Sequence, residues 1–223
     1  TRNRKKMNLL AQGSVFKLAG LIGVTFGLMG VVVPSLVYRG TKGEKYSFLN
    51  HYISELGEVG VSRLAWVFNL GMFLGGICIV VASLSLGLIL PGFWAKAGMV
   101  LGIVTGLALS MVGVFPMNKI NNHTIAAVAF FRGGLLMVLL FSLAIVLQSN
   151  ENPLVPRALG LVGMIPVLAF GIFIGLMWSM RKENKKALET EGFDRPRVWK
   201  FAISEWSILF SFVLWILVVA FAL

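Results

Sequence analysis

"TIAAVAFFRGGLLMVLLFSLAIVL", residues 124–147, is an apolar run interrupted by a single charge, Arg132. A helix crosses a hydrocarbon core with about 20 mostly apolar residues, so this run is long enough to span, and its guanidinium is the feature that needs a reason. The pattern recurs along the chain, which divides into six such runs at 15–38, 63–89, 95–115, 124–147, 157–180 and 198–221. Composition agrees: 57% of residues are hydrophobic and 13% charged, and the mean hydropathy is +0.86. Soluble domains carry roughly 25% charged residues. The expected fold class is therefore all-α, a single integral membrane domain over 1–223 made of six transmembrane helices with short loops. The longest connections, 39–62 and 181–197, are too short for a separate soluble core.

The basic start "TRNRKK" followed by an apolar run reads as a retained first helix, because the run is too long for a signal peptide and no small-residue cleavage site follows it. The lone Cys78 lies in the second run and is expected to pack. The net charge of +11 sits in tails and loops, beside anionic headgroups, and no nucleic-acid module appears. Positive charge marks the cytoplasmic side, yet two basic clusters compete: Arg2, Arg4, Lys5 and Lys6 in the N-terminal tail, and Arg181, Lys182, Lys185, Lys186, Arg195 and Arg197 in the last connection. The first helix usually dominates, so we expect a cytoplasmic N-terminus in the cell (plasma or inner) membrane. In either orientation the first, third and fifth connections share one face.

Glycines at four-residue steps, Gly23/Gly27, Gly71/Gly75, Gly98/Gly102/Gly106 and Gly171/Gly175, put small residues on one helical stripe and predict close helix packing. Pro34 and Pro166 are expected to kink their helices, and Pro116 to stop the third. Trp66, Trp94, Trp178 and Trp199 lie near run ends, as interfacial aromatic residues do.

Two stretches hold most of the remaining information. In "YSFLNHYISELGEVGVSRLAWVFNLGMFLGG", residues 46–76, a short amphipathic segment places His51 and Glu55 four apart, on one face if the segment is helical. In "GVFPMNKINNH", residues 113–123, a polar turn carries His123 to the start of the fourth run. The "ISELG" element, the following "FN", the glycine-rich helix and "GVFP" with its polar turn and His are similar to the prokaryotic six-helix membrane family named domain of unknown function 998. More distantly, the helix order resembles the eukaryotic Frag1, Sfk1 and damage-regulated autophagy modulator group. The resemblance spans roughly residues 15–220 and implies a six-helix fold in a plasma membrane, with no reaction attached. The matching positions are Ser54, Gly57, Asn69, Phe115, Pro116 and His123, and Asn118 stands where the family has an acidic residue.

His51, Glu55 and His123 form a two-histidine, one-carboxylate set suited to zinc or iron, which would make the chain a metal-dependent membrane hydrolase. No "HExxH", phosphate-binding loop or "GxSxG" pattern supports it, and Ser54 beside Glu55 fits helix capping better than nucleophilic attack. A small transporter is the other alternative, although the two halves are not visibly related. The reading carried forward is a non-catalytic membrane protein without a cofactor. It either binds or senses lipid, anionic headgroups included, or serves as an accessory subunit beside other membrane proteins. Helical rise from the expected run ends places Arg132 about 12 Å below the shared face, Glu205 about 10 Å, and Asn69 and Ser110 roughly 8–9 Å. The expectation is an Arg132–Glu205 pair inside the bundle, completed by Asn69 and Ser110, beneath a loop-face pocket of His51, Ser54, Glu55, Asn118 and His123. Snorkelling of Arg132 to the interface is the alternative.

Overall fold

A computed structural model describes residues 10–149, 151, 153–183 and 196–223. The basic stretch around Lys185 and Lys186 lies outside the described residues. The helices are α1 (Gly13–Val37), α2 (Ala65–Ile89), α3 (Phe93–Val114), α4 (Ile120–Val146), α5 (Met164–Glu183) and α6 (Lys200–Ala222). Short 3₁₀ turns occupy Ile53–Gly57, Met117–Lys119 and Arg157–Gly163. The chain is all-helical, with no strand among the described residues and six helical segments long and apolar enough to cross a membrane.

Each helix packs on its neighbours in sequence, and α6 returns to α1, so the six form a closed ring. Large side chains fill its middle: Leu86, Met137, Phe141, Phe170, Phe212 and Trp215 belong to one buried cluster. Lipid is as apolar as leucine, so close packing of backbones rather than hydrophobic burial holds such helices together. At the α1–α2 contact a Cβ on Gly71 would lie 2.7 Å from the Phe26 carbonyl and 2.8 Å from the Gly30 Cα, so only glycine permits that approach. Gly76 of α2 and Gly106 of α3 meet in the same manner. The Gly171/Gly175 stripe does not: a Cβ at Gly175 would meet nothing within 4 Å. Spacing finds candidate stripes but cannot tell which of them face a neighbour.

Helix ends follow from local chemistry. Lys96 donates to the Gly87 carbonyl at 2.6 Å and Arg157 to the Val146 carbonyl at 2.5 Å, so cations close the last turns of α2 and α4, where unpaired carbonyls accumulate. Pro166 falls in the first turn of α5, directly after the 3₁₀ turn, where a missing N–H costs nothing. The expected mid-helix kink is thus a change of helix type near an end. Pro34 stays within the last turn of α1. Trp66, Trp94 and Trp178 point outward as expected, whereas Trp199 is buried and its backbone N–H donates to the Leu49 carbonyl at 2.7 Å.

Candidate functional site

The first connection is a cap over one end of the ring. Of the segment expected to be helical, only Ile53–Gly57 coils, as a 3₁₀ turn, and His51 precedes it. Three elements pin this turn. Glu205 of α6 accepts from the Ile53 N–H at 2.7 Å, while Glu55 folds back onto the Tyr52 N–H at 2.7 Å, so successive amides each hold one carboxylate. Asn69 of α2 donates to the Gly57 carbonyl at 3.1 Å. Asn118 of the third connection accepts from the Val59 N–H at 2.8 Å and donates to the Val59 carbonyl at 2.9 Å, a two-bond clamp between the first and third connections. Ser54 donates to the Met117 sulfur at 3.6 Å, across the same junction.

The two histidines have structural partners. His123 is buried and its Nδ1–H donates to the Phe115 carbonyl at 2.8 Å, which closes the α3–α4 turn. His51 Nδ1 accepts from the Ser47 N–H at 3.2 Å, its ring packs against Tyr38 and Tyr46, and its Nε2 lies 3.9 Å from Glu44. Backbone N–H groups, its own first and then that of Lys42, hold the Glu44 carboxyl below the usual carboxylate range. Tyr46 donates to the His51 and Tyr52 carbonyls, and burial pushes its phenol above the ordinary tyrosine range. Among the described residues no three His, Cys, Asp or Glu side chains are grouped to hold a metal, so His51, Glu55 and His123 are not a ligand set.

The intramembrane layer is rearranged too. Ser110 donates to the Phe73 carbonyl at 3.0 Å, and Asn69 and Glu205 serve the cap. Arg132 is exposed on the outside of the ring and makes no ion pair or hydrogen bond among the described residues, so it does not pair with Glu205. The reason is depth as well as direction. α4 begins at Ile120, four residues before the expected start, which puts Arg132 twelve residues along it, about 18 Å. α6 begins at Lys200, so Glu205 is five residues along, about 7.5 Å.

Sequence reasoning missed a groove. Beside the cap, at the mouth between α2 and α3, an open cleft of about 540 Å³ is lined by Ser62, Arg63, Trp66, Asn69, Phe73 and Val114, among others. Arg63 and Trp66 (64% exposed) stand open to it, and Leu70, Phe73 and Val114 make much of its lining apolar. Ser62 Oγ and Asn69 Oδ1 are buried with no hydrogen-bond partner among the described residues. Such atoms cost free energy unless something polar meets them. An Arg three residues before an exposed Trp at a helix start, "SRLAW", was the signal available in the sequence.

A closed ring of six apolar helices capped by a hydrogen-bonded loop defines a multi-pass membrane protein. The chain belongs to the family described as protein of unknown function DUF998, whose model matches residues 21–222. No curated protein and no solved structure matches the chain.

Proposed function

We propose that this protein is a non-catalytic, lipid-binding component of the cell membrane, with its N-terminus cytoplasmic and the α2–α3 groove as the binding site. The observation that carries this reading is the composition of the groove. A cation at the rim and an apolar lining that includes Phe73 and Val114 suit a phospholipid, phosphate outward at Arg63 and acyl chain along the lining. Trp66 beside Arg63 is the usual arrangement at headgroup depth. In this orientation the groove opens on the extracytoplasmic leaflet. The preference is for an anionic phospholipid, because Arg63 is exposed and has no ion pair among the described residues.

Native mass spectrometry of the purified protein titrated with phosphatidylglycerol tests the site. Arg63→Gln is expected to weaken retention about tenfold, the scale of one charge-assisted contact, with thermal stability unchanged since Arg63 holds nothing else. Equal retention by the variant would refute the reading. Labelling of single cysteines introduced at Glu58 and Glu151, which lie on opposite faces, checks the orientation.

A further inference from the structure

Arg132 is an exposed charge at the middle of the membrane, and α3 supplies the ruler. α3 runs from Phe93 to Val114, about 33 Å, close to the roughly 30 Å of a hydrocarbon core. A Cβ at Gly133, the residue after Arg132, would meet Thr105 of α3. Thr105 is nine residues from Val114, about 13.5 Å from the capped end and within a few Å of the helix midpoint. α4 gives the same depth independently: the Nδ1 of His123 bonds Phe115 at the end of α3, and Arg132 is nine residues beyond His123. Its stem covers roughly half of that distance, so snorkelling leaves the guanidinium in hydrocarbon.

The direction in which it faces is also fixed. Gly133 packs on α3 and Gly134 on Phe170 of α5, while Ile125 (70% exposed), Ala129, Arg132 and Leu136 (44% exposed) form one outward stripe at helical spacing. A lone guanidinium on a lipid-facing stripe is expensive, and such groups are ordinarily paired or face a watery cavity. Among the described residues this chain supplies no partner. Its six spans contain one acid, Glu205, which lies about 6 Å nearer the cap by the same measure and is bonded to the Ile53 N–H. A second copy docked through this face would set Arg132 against Arg132, a like-charge contact in low dielectric.

We infer that the outer face of α4 is an interface for a transmembrane helix of a different protein, one that carries an Asp or Glu at bilayer mid-depth to pair with Arg132. Ala129, one turn before Arg132, leaves room for the incoming helix at the contact, and the apolar residues on either side would pack along it. This inference does not depend on the lipid groove, which lies at a different depth between α2 and α3.

The probe is a leucine–alanine transmembrane peptide of about 20 residues with one central Glu, compared with its Gln twin. Association with the full-length protein is measured by fluorescence energy transfer in phosphatidylcholine vesicles. The Glu peptide is expected to associate about tenfold more tightly than the Gln peptide, and Arg132→Leu to abolish the difference. Arg132→Leu should leave the thermal stability of the isolated protein unchanged or raised, since no internal contact is lost. No Glu–Gln difference with the wild type overturns the inference, because a guanidinium satisfied by snorkelling to phosphates would not distinguish the two. A difference that persists in Arg132→Leu overturns it equally. Association between labelled copies of the protein, lost in Arg132→Leu, would replace the heterologous partner with a second copy and overturn it as well.

Discussion

Replacing Glu205 separates the role the structure gives it from the one its charge suggests. Its carboxylate accepts the Ile53 N–H at 2.7 Å, at the turn where the cap meets α6. Glu205→Leu removes the acceptor and leaves that amide without a partner, at a cost of about 1–3 kcal/mol. The loss of a buried polar group offsets part of this, so about 2 kcal/mol is the working figure. Glu205→Gln keeps the volume and a carbonyl acceptor for the Ile53 N–H, and should cost under about 1 kcal/mol. A 2 kcal/mol loss confined to the cap raises its opening about 30-fold. Hydrogen exchange in lipid nanodiscs, followed on a peptide spanning Tyr52 and Ile53, reads this directly. Leu should exchange about 30-fold faster than wild type and Gln only a few-fold faster. Equal exchange in Leu and Gln would refute the assignment of Glu205 as the anchor of the cap. The double variant with Arg132→Leu should be additive within about 0.5 kcal/mol, as for side chains that share no partner. A coupling energy above about 1 kcal/mol would mean that the two side chains interact after all.

The cap should also respond to alkali. Because burial raises the pKa of the Tyr46 phenol, the folded cap prefers the neutral form. Its contribution is therefore fully present below the unfolded tyrosine value of about 10 and is lost as pH rises past that value toward the raised folded one. Phenolate absorbance should accordingly lag behind that of free tyrosine and appear together with cap opening, and Tyr46→Phe should remove one lagging phenol from the titration. The glycine stripes should divide by contact. Gly71→Val, which forces α1 from α2, is expected to cost about 1–3 kcal/mol or more, whereas Gly175→Ala, with open space around its Cβ, should gain about 0.5–1 kcal/mol, both by thermal unfolding in one lipid.

The fold was legible because the bilayer imposes a one-dimensional rule. Length and apolarity decide a span, and the six runs read from sequence match the six spanning segments to within a few residues at most ends. The exception matters most: α4 begins at Ile120, ahead of Thr124, because the polar residues "INNH" continue the helix above the hydrocarbon. Hydropathy reports where the membrane starts, while a helix ends where its hydrogen bonds do, and Asn and His at an interface are paid no penalty for staying helical. The 3₁₀ segment Arg157–Gly163 is continuous in sequence with the fifth apolar run, because apolar spacing does not distinguish the two helix types over two turns.

The site was legible as an address and misread as a constellation. His51, Ser54, Glu55, Asn69, Asn118, His123 and Glu205 do meet at one end of the bundle or just beneath it, yet most are spent on backbone groups: Glu55 on Tyr52, Glu205 on Ile53, Asn69 on Gly57, Asn118 on Val59 and His123 on Phe115. A loop lying over a membrane bundle has many amides and carbonyls with neither ladder nor helix to satisfy them, and in a low dielectric each must find a partner. Side chains that look like catalysts by type are the ones able to serve, because acceptors for an N–H are carboxylates, amides and imidazoles. Arg132 escaped this demand, since a guanidinium has only donors to offer and the nearby α4 backbone already uses its carbonyls within the helix. With no use in the cap and no ion pair among the described residues, it points out of the ring, and its donor-only chemistry is what selects the inferred partner helix: an acceptor, negatively charged and held at the middle of the membrane.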